Sequence, residues 1–264
     1  MKTDFKKSGT EWKPITELRA VEEDISSFGY VKEYIAANEL LRKKSLAAIE
    51  VKEENGEIFY REKDFHEHKG SPEKFETQYG TFLNHDGGEF DSWLGREDPK
   101  DYYVEGNFCD MFDFGEFSYA VSNLQHLLSG WVKIVRIDKN LEATTLYDNF
   151  NEDGWNYLQY MGRFSNERGP VLIVTGFKKL ERGKNGERNL QDQTILFQID
   201  RDGECNISQT WEIKISDHNS MAAAGDYVYF GQNRMVTRLN ITSGELSYLT
   251  DKNEEELAEL KPMC

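Results

Sequence analysis

The chain has 264 residues, of which 38% are hydrophobic and 30% are charged. Its 48 acidic residues outnumber its 32 basic residues, which gives a formal net charge of -16. This much apolar material argues against global disorder, and the acidic excess argues against binding to the anionic backbone of nucleic acid. The same excess favours a basic protein partner, although a solvated acidic surface is the simpler interpretation.

The N-terminus and the cysteines indicate the compartment. Residues 1–8 are basic but no apolar segment follows them, so the sequence predicts no secretory signal, and no apolar run approaches the length of a membrane span. The three cysteines, Cys109, Cys205 and Cys264, are far apart and odd in number. We therefore expect a cytoplasmic protein with free thiols. A mature chain from which a signal had been removed would show the same features.

The N-terminal region is predicted to differ from the rest. Residues 1–16 are polar and resemble a loose arm. The next apolar residues share one face at helical spacing and predict a helix over about residues 30–44; they are Val31, Tyr34, Ile35 and Leu41. A β-strand within residues 1–30 is the alternative for part of this region. The predicted division is an arm and helix over residues 1–45 and a β domain over residues 46–264.

From residue 47 onwards a hairpin signal recurs. Each copy has a strand, a turn that contains Asx or Gly, a Glu, and a second strand. The Glu positions are Glu57, Glu89, Glu142, Glu204 and Glu245. A repeat of this kind indicates stacked supersecondary units.

Three of these hairpins are preceded by two further strand patterns. Each such segment opens with Asn107, Asn156 or Asn219, reaches a Gly, and continues into an apolar second strand. This four-strand layout resembles the blades of β-propellers of the quinoprotein-like or WD-like kind, well over residues 107–250 and less well over residues 47–95. The resemblance implies a mostly β fold, namely a five-bladed β-propeller with a short N-terminal helical extension whose last blade is closed by a strand from the other end of the chain. A β-sandwich built from the same hairpins is the alternative.

The apolar and alternating strand patterns also predict the core. Seven residues in these patterns are expected to be largely buried. They are Ile134, Ile137, Ile173, Leu196, Tyr227, Tyr229 and Leu239.

A binding surface is predicted in the connections from the last strand of one blade to the first strand of the next. We assign residues 96–105, 148–155 and 215–218 to these connections. Carboxylates among aromatic rings would give a basic protein partner both steering and desolvated contact area. The alternative is that these loops are polar only because most loops are polar. The predicted partner-binding residues are Asp101, Tyr103, Asp148, Glu152, Asp153, Trp155 and Asp217.

The predicted function is therefore non-catalytic protein binding, as in an acidic inhibitor or immunity-type protein. A carbohydrate-active, glycoside hydrolase-like propeller is the alternative function. Glycoside hydrolysis needs two carboxyl groups that flank the scissile bond. One predicted first strand offers Asp110 and Asp113, and only loop acids could otherwise complete a pair. A module that binds a small ligand or glycan through a central channel is a further alternative.

The sequence predicts no catalytic residue, no metal site and no cofactor. His66 and His68 would face the same side of a strand, but they lie in a charged stretch that is typical of an exposed loop. The sequence contains no Gly-x-Ser-x-Gly, Walker or dinucleotide-binding motif. Cys109 and Cys205 have no assigned His partner and are interpreted as small core residues.

Overall fold

The computed structural model describes residues 11–22, 24, 47–64, 72–87, 91–96, 103–126, 129–149, 157–179, 190–216 and 218–260. The predicted helix over residues 30–44 lies outside them. The described residues are mostly in strands, with one short 3-10 turn and one short helix, so the prediction of a mostly β fold is confirmed. No helix in this part of the chain is long and apolar enough to cross a membrane.

The chain divides into two compact units, and each is described by itself. The first unit contains Met1–His68 and Ser216–Cys264, and the second contains Lys69–Ile215. The predicted division at residue 45 is a different one and stays a prediction.

The second unit contains three antiparallel meanders of four strands each. The first meander is β5 (Lys74–Thr77), β6 (Gly80–His85), β7 (Trp93–Arg96) and β8 (Tyr103–Glu105). The second is β9 (Phe108–Phe114), β10 (Phe117–His126), β11 (Ser129–Ile137) and β12 (Ala143–Asp148). The third is β13 (Tyr157–Asn166), β14 (Gly169–Lys179), β15 (Leu190–Ile199) and β16 (Cys205–Trp211).

The second and third meanders are joined into one eight-stranded sheet by a single parallel pair, Gly130 with Tyr157. Only a glycine fits at this crossing, because a Cβ on Gly130 would lie 2.5 Å from the carbonyl oxygen of Leu158. At this crossing the backbones of the two meanders come into direct contact.

The described residues of the first unit form two sheets. One has the order β1 (Lys13–Pro14), β4 (Glu57–Asp64), β3 (Ala47–Glu54). The other is a fourth meander, formed by β17 (Ser220–Ala224), β18 (Tyr227–Gly231), β19 (Val236–Asn240) and β20 (Leu246–Thr250), with β2 (Arg19–Val21) added beside β20. A 3-10 turn spans Ile15–Glu17, and the helix α1 spans Glu254–Leu260.

The strand β2 closes the fourth meander from the other end of the chain. It pairs antiparallel with β20, and Arg19 lies opposite Thr250 while Val21 lies opposite Tyr248. This confirms the predicted closing strand and the alternative interpretation of residues 1–30. The predicted first strands after Asn107, Asn156 and Asn219 are β9, β13 and β17, each followed by its predicted second strand.

The recurring hairpin turns are closed by Asx side chains. Asp138 Oδ1 accepts hydrogen bonds from the backbone N–H groups of Asn140, at 2.8 Å, and Glu142, at 2.9 Å. Asp200 and Asn240 accept backbone N–H groups in the same way in the later hairpins. The Asx residue before each of these Glu positions is therefore part of the turn, because its side chain replaces backbone acceptors.

Six of the seven predicted core residues are buried: Ile134, Ile137, Ile173, Leu196, Tyr229 and Leu239. The prediction is wrong for Tyr227, which is only half-buried. The guanidinium carbon of Arg238 lies 4.8 Å from the centre of its ring. One face of the Tyr227 ring is thus covered by a surface cation rather than by the core.

Candidate partner-binding surface

The predicted binding residues divide into those the structure describes and those it does not. Asp101, Glu152, Asp153, Trp155 and Asp217 lie outside the described residues. Tyr103 is the first residue of β8, and Asp148 is the last residue of β12. The role of all seven in binding stays a prediction.

The connection that contains Asp101 joins different strands from those predicted. Residues 96–105 were assigned to a link between two successive blades, but Arg96 ends β7 and Tyr103 begins β8. Tyr103 pairs with Gly95, and Glu105 pairs with Trp93. The assignment failed because β8 has only three residues and no apolar run, so its pairing leaves little trace in the sequence.

The ends of the meanders at which they lie separate the predicted residues into two groups. In an antiparallel meander, the first-to-second and third-to-fourth connections leave the same end of the sheet. Tyr103 begins its strand at that end, whereas Asp148 ends β12 at the opposite end. The end from which the first-to-second and third-to-fourth connections leave is called the turn end. The name covers this end of all three meanders of the second unit.

Hydrogen bonds join the turn ends of the first two meanders. The backbone N–H of Gln78, between β5 and β6, donates to Oδ2 of Asp113 at 2.7 Å. The phenol of Tyr79 donates to the backbone carbonyl oxygen of Glu116, between β9 and β10. These two contacts hold neighbouring turns side by side.

Arg136 joins the turn ends of the second and third meanders. Its Nη1 donates to the carbonyl oxygen of Gly203 at 3.1 Å and to Oε1 of Glu204 at 3.0 Å. Its guanidinium carbon also lies 4.7 Å from the centre of the Phe117 ring. The turn end of the second unit is therefore a continuous surface that all three meanders build.

The turn end is acidic. Among the residues that the structure describes there, the carboxylates outnumber the cations, which are Arg96, Arg136, Lys139, Arg168 and Arg201. Burial raises the pKa of Tyr79, and the nearby carboxylates of Asp138, Glu116 and Asp113 raise it further. The carboxylates belong to Asp113, Glu116, Asp138, Glu142, Glu167, Asp200, Asp202 and Glu204.

Some of these carboxylates maintain the fold, and others are available to a partner. Asp138 and Asp200 close their turns, and Glu204 pairs with Arg136. By contrast, Glu116, Glu142 and Asp202 are exposed. Their carboxylates make no side-chain hydrogen bond or ion pair with any residue that the structure describes. The Asp113 carboxylate accepts the backbone N–H of Gln78. This surface is not predicted from the sequence, because the Asx–Glu repeats indicate only architecture and Glu116 lies outside them.

Asp148 lies at the end of β12, where strand pairing and the neighbouring Asn149 side chain fix the backbone. Its Cα pairs with that of Lys133 on β11. The next residue, Asn149, is buried, accepts the backbone N–H of Val132 at 2.6 Å and donates to the carbonyl oxygen of Gly130 at 3.1 Å. The point at which the chain leaves β12 is therefore fixed by a buried side chain.

Asp110 and Asp113, the pair considered for glycoside hydrolysis, belong to separate hydrogen-bond networks. Asp110 Oδ2 accepts the phenol of Tyr160 at 2.6 Å and Nε of Arg163 at 2.9 Å. Burial and the Asp110 carboxylate raise the pKa of the Tyr160 phenol well above its ordinary value. Asp113 accepts the hydroxyl of Ser118 at 2.6 Å as well as the Gln78 N–H. Both carboxylates thus hold strands together, and these contacts do not form the acid and base that hydrolysis needs.

The two described thiols are half-buried rather than core residues. Burial raises the pKa of Cys109 to about 12 and that of Cys205 to about 12. Both are free thiols, and Cys109 donates to the carbonyl oxygen of Val121 at 3.4 Å. Because the thiolate is the reactive form, such thiols are poor nucleophiles near neutral pH.

The residues considered for metal binding lie mostly outside the described part of the chain, which includes neither His66 nor His68. His85 stacks on Trp93, with 5.1 Å between the ring centres. Within the described ranges there is no group of three or more His, Cys, Asp or Glu side chains that could hold a metal ion.

Comparisons with known proteins give little further information. No family model matches the chain, and no curated protein matches it. Among solved structures, the chain is similar to the Bombyx mori GH32 beta-fructofuranosidase BmSUC1, with 13% sequence identity, coverage of 91% of this chain and 72% of that chain, and a TM-score of 0.33. At this identity and TM-score, neither the fold nor the activity of that enzyme carries over to this chain.

Proposed function

We propose that the protein binds a basic protein partner without catalysis, as an inhibitor or immunity-type protein does. The observation that supports this is the continuous acidic turn end, where Glu116, Glu142 and Asp202 are exposed. Such carboxylates attract a basic surface over a Debye length and set the register of docking. The half-buried ring of Tyr79 lies among them and adds contact area.

The predicted binding residues fall into this proposal in two groups. Tyr103 begins β8 at the turn end, and Asp101 precedes it in the chain. Asp148 lies at the opposite end of its meander. A role in binding for Glu152, Asp153, Trp155 and Asp217 remains a prediction from the sequence. We propose the turn end as the primary contact because its carboxylates belong to two meanders whose turn ends Arg136 joins.

The proposal includes a five-bladed propeller fold and a cytoplasmic location. Divided at the pair of Gly130 with Tyr157, the described strands form five sheets, which supports the blades of a five-bladed propeller. The free thiols of Cys109 and Cys205 support a reducing, cytoplasmic location.

A capture experiment with matched variants tests the function. The wild-type protein, the double variant Glu116→Lys with Glu142→Lys, and the control Glu245→Lys are each immobilised and exposed to a lysate of the native host. Glu245 occupies the corresponding hairpin position in the first unit. We expect the wild type and the control to capture the same basic protein, and the double variant to lose it.

Two results would reject the proposal. Equal capture by all three proteins would mean that the turn-end charges do not bind the partner. Glycan hydrolysis that is lost in Asp110→Asn or Asp113→Asn would instead support the carbohydrate-active alternative.

A further inference from the structure

The strand β16 has one open edge. It pairs antiparallel with β15, from Thr194 opposite Trp211 to Ile199 opposite Cys205. Its other edge is paired with no strand of the described part of the chain. An open edge presents N–H and C=O groups that can pair with a strand from another molecule.

The composition of β16 leaves this edge unprotected. Residues 206–210 are all exposed, and 58% of the Ile207 surface is accessible to solvent. The strand contains no charged residue and no proline, which are the residues that commonly block pairing at an edge. One protective feature is present: a register shift at Ser208, whose hydroxyl donates to the carbonyl oxygen of Leu196 at 3.1 Å. The shift leaves a regular three-residue segment on either side.

The fourth meander shows that three residues are enough to add a strand in this protein. There, β2 pairs with the outer edge of β20 through Arg19, Ala20 and Val21. Arg19 also anchors the added strand, because its Nε donates to the carbonyl oxygen of Lys252 at 2.6 Å and its Nη1 pairs with Glu254 at 2.7 Å. A basic residue on the added strand thus meets an acidic segment that follows the edge strand.

The surroundings of β16 repeat this arrangement. Exposed carboxylates lie at both ends of the strand, Asp202 and Glu204 before it and Glu212 directly after it, although Glu204 is already paired with Arg136. Arg201 and Lys214 offset part of this charge. The first two carboxylates belong to the turn end, so the open edge continues directly from the proposed binding surface.

We infer that the outer edge of β16 accepts an extended, basic segment of the partner as an added β-strand. This inference rests on the proposed function and specifies how the partner docks. Backbone hydrogen bonds to β16 hold the segment, and its Lys or Arg side chains meet the carboxylates at the two ends of the strand.

The test uses a synthetic peptide in which Lys alternates with Val, labelled for fluorescence anisotropy. It is titrated against the full-length wild type, Ile207→Lys, Ile207→Glu, and Thr145→Lys, which adds a charge to the exposed edge strand β12. Ile207→Lys and Ile207→Glu remove the same apolar side chain, so their difference reports only the charge at the edge. We expect Ile207→Lys to weaken binding by about tenfold or more, and the other two variants to stay within about threefold of the wild type.

Several outcomes decide the inference. A peptide with a central Pro should bind more weakly, because Pro removes a backbone donor. Equal binding to Ile207→Lys and the wild type, or no binding to the wild type, would overturn docking at β16. The double variant Glu116→Lys with Glu142→Lys is titrated in the same way. If binding is lost only in this variant, the proposed function stands and the edge inference is wrong. A concentration-dependent dimer that both Ile207 variants abolish would make a second copy the occupant and would also overturn the inference.

Discussion

The backbone N–H of Gln78 donates a hydrogen bond to the carboxylate of Asp113, with 2.7 Å between the nitrogen and Oδ2. The same carboxylate accepts the hydroxyl of Ser118 at 2.6 Å. Asp113 therefore connects a turn of the first meander with the first two strands of the second meander. Together with the bond from Tyr79 to Glu116, this side chain joins the turn ends of the two meanders.

Removal of this carboxylate should destabilise the protein. Asp113→Ala leaves the Gln78 N–H and the Ser118 hydroxyl without their acceptor, and we expect a loss of about 1 kcal/mol in the free energy of unfolding. Asp113→Asn retains one acceptor oxygen and should cost less. The control is Asp226→Ala, because Asp226 supports its turn through its backbone carbonyl. Urea denaturation in which Asp113→Ala matches the control would show that the link adds no stability.

The core of the second unit gives a larger effect. Ile134 and Ile173 are completely buried. Substitution of either by Ala should lower the free energy of unfolding by about 2–5 kcal/mol, because it removes buried methyl groups and leaves a cavity. Ile207→Ala is the matched control on an exposed strand position and should change stability by less than about 0.5 kcal/mol. A loss well below about 1 kcal/mol at both buried sites would contradict the described packing.

The thiols should be protected while the protein is folded. Burial raises the pKa of Cys109 and Cys205 to about 12, so both remain protonated at pH 8. We expect iodoacetamide at pH 8 to leave them unmodified in the native protein and to modify them in urea, with each site identified by mass spectrometry of peptides. Rapid modification of Cys109 in the native state would show that its thiol is accessible.

The stability of the first unit should depend on Glu50 in acid. Burial tends to raise the pKa of Glu50, but hydrogen bonds and charges from Lys63 and Arg61 lower it overall from 4.5. The folded state therefore favours the carboxylate, and its stabilising contribution is complete above pH 4.5 and is lost as the pH falls through the lowered pKa. We expect Glu50→Gln to reduce stability at pH 7 and to flatten the decline in stability below pH 4.5. Parallel pH profiles of the urea midpoint for both proteins would argue against this role.

The sequence predicts the local elements of this fold better than it predicts the surface. Asn55 and Gly56 mark the first hairpin, because both adopt positive φ angles, 57° and 83°, in a tight two-residue turn. The closing strand β2 has only three residues, and it pairs with a strand more than two hundred residues away. Such a pairing leaves no local pattern in the sequence. The strand could therefore be predicted only as an alternative, because the last meander needs an outer strand.

The binding surface was harder to predict because it depends on which connection leaves which end of a sheet. Because β8 is not predicted as a strand, residues 97–102 are predicted to connect two blades, whereas they lie between β7 and β8 of one meander. The exposed carboxylates of Glu116 and Glu142 follow turns that the sequence does show. The link between the first and second meanders depends on contacts such as that of Tyr79 with the backbone carbonyl of Glu116, which join segments distant in the sequence.

The association rate constant of the captured partner, measured at several salt concentrations, tests the central claim most directly. Opposite charges steer the encounter over about 8 Å at physiological salt, so their effect appears mainly in association. We predict that Glu116→Lys with Glu142→Lys slows association by about tenfold and flattens its salt dependence, whereas Glu245→Lys matches the wild type. An unchanged rate in that double variant, together with a slow rate in Asp148→Lys, would contradict the claim and would place the binding surface at the opposite end of the meanders.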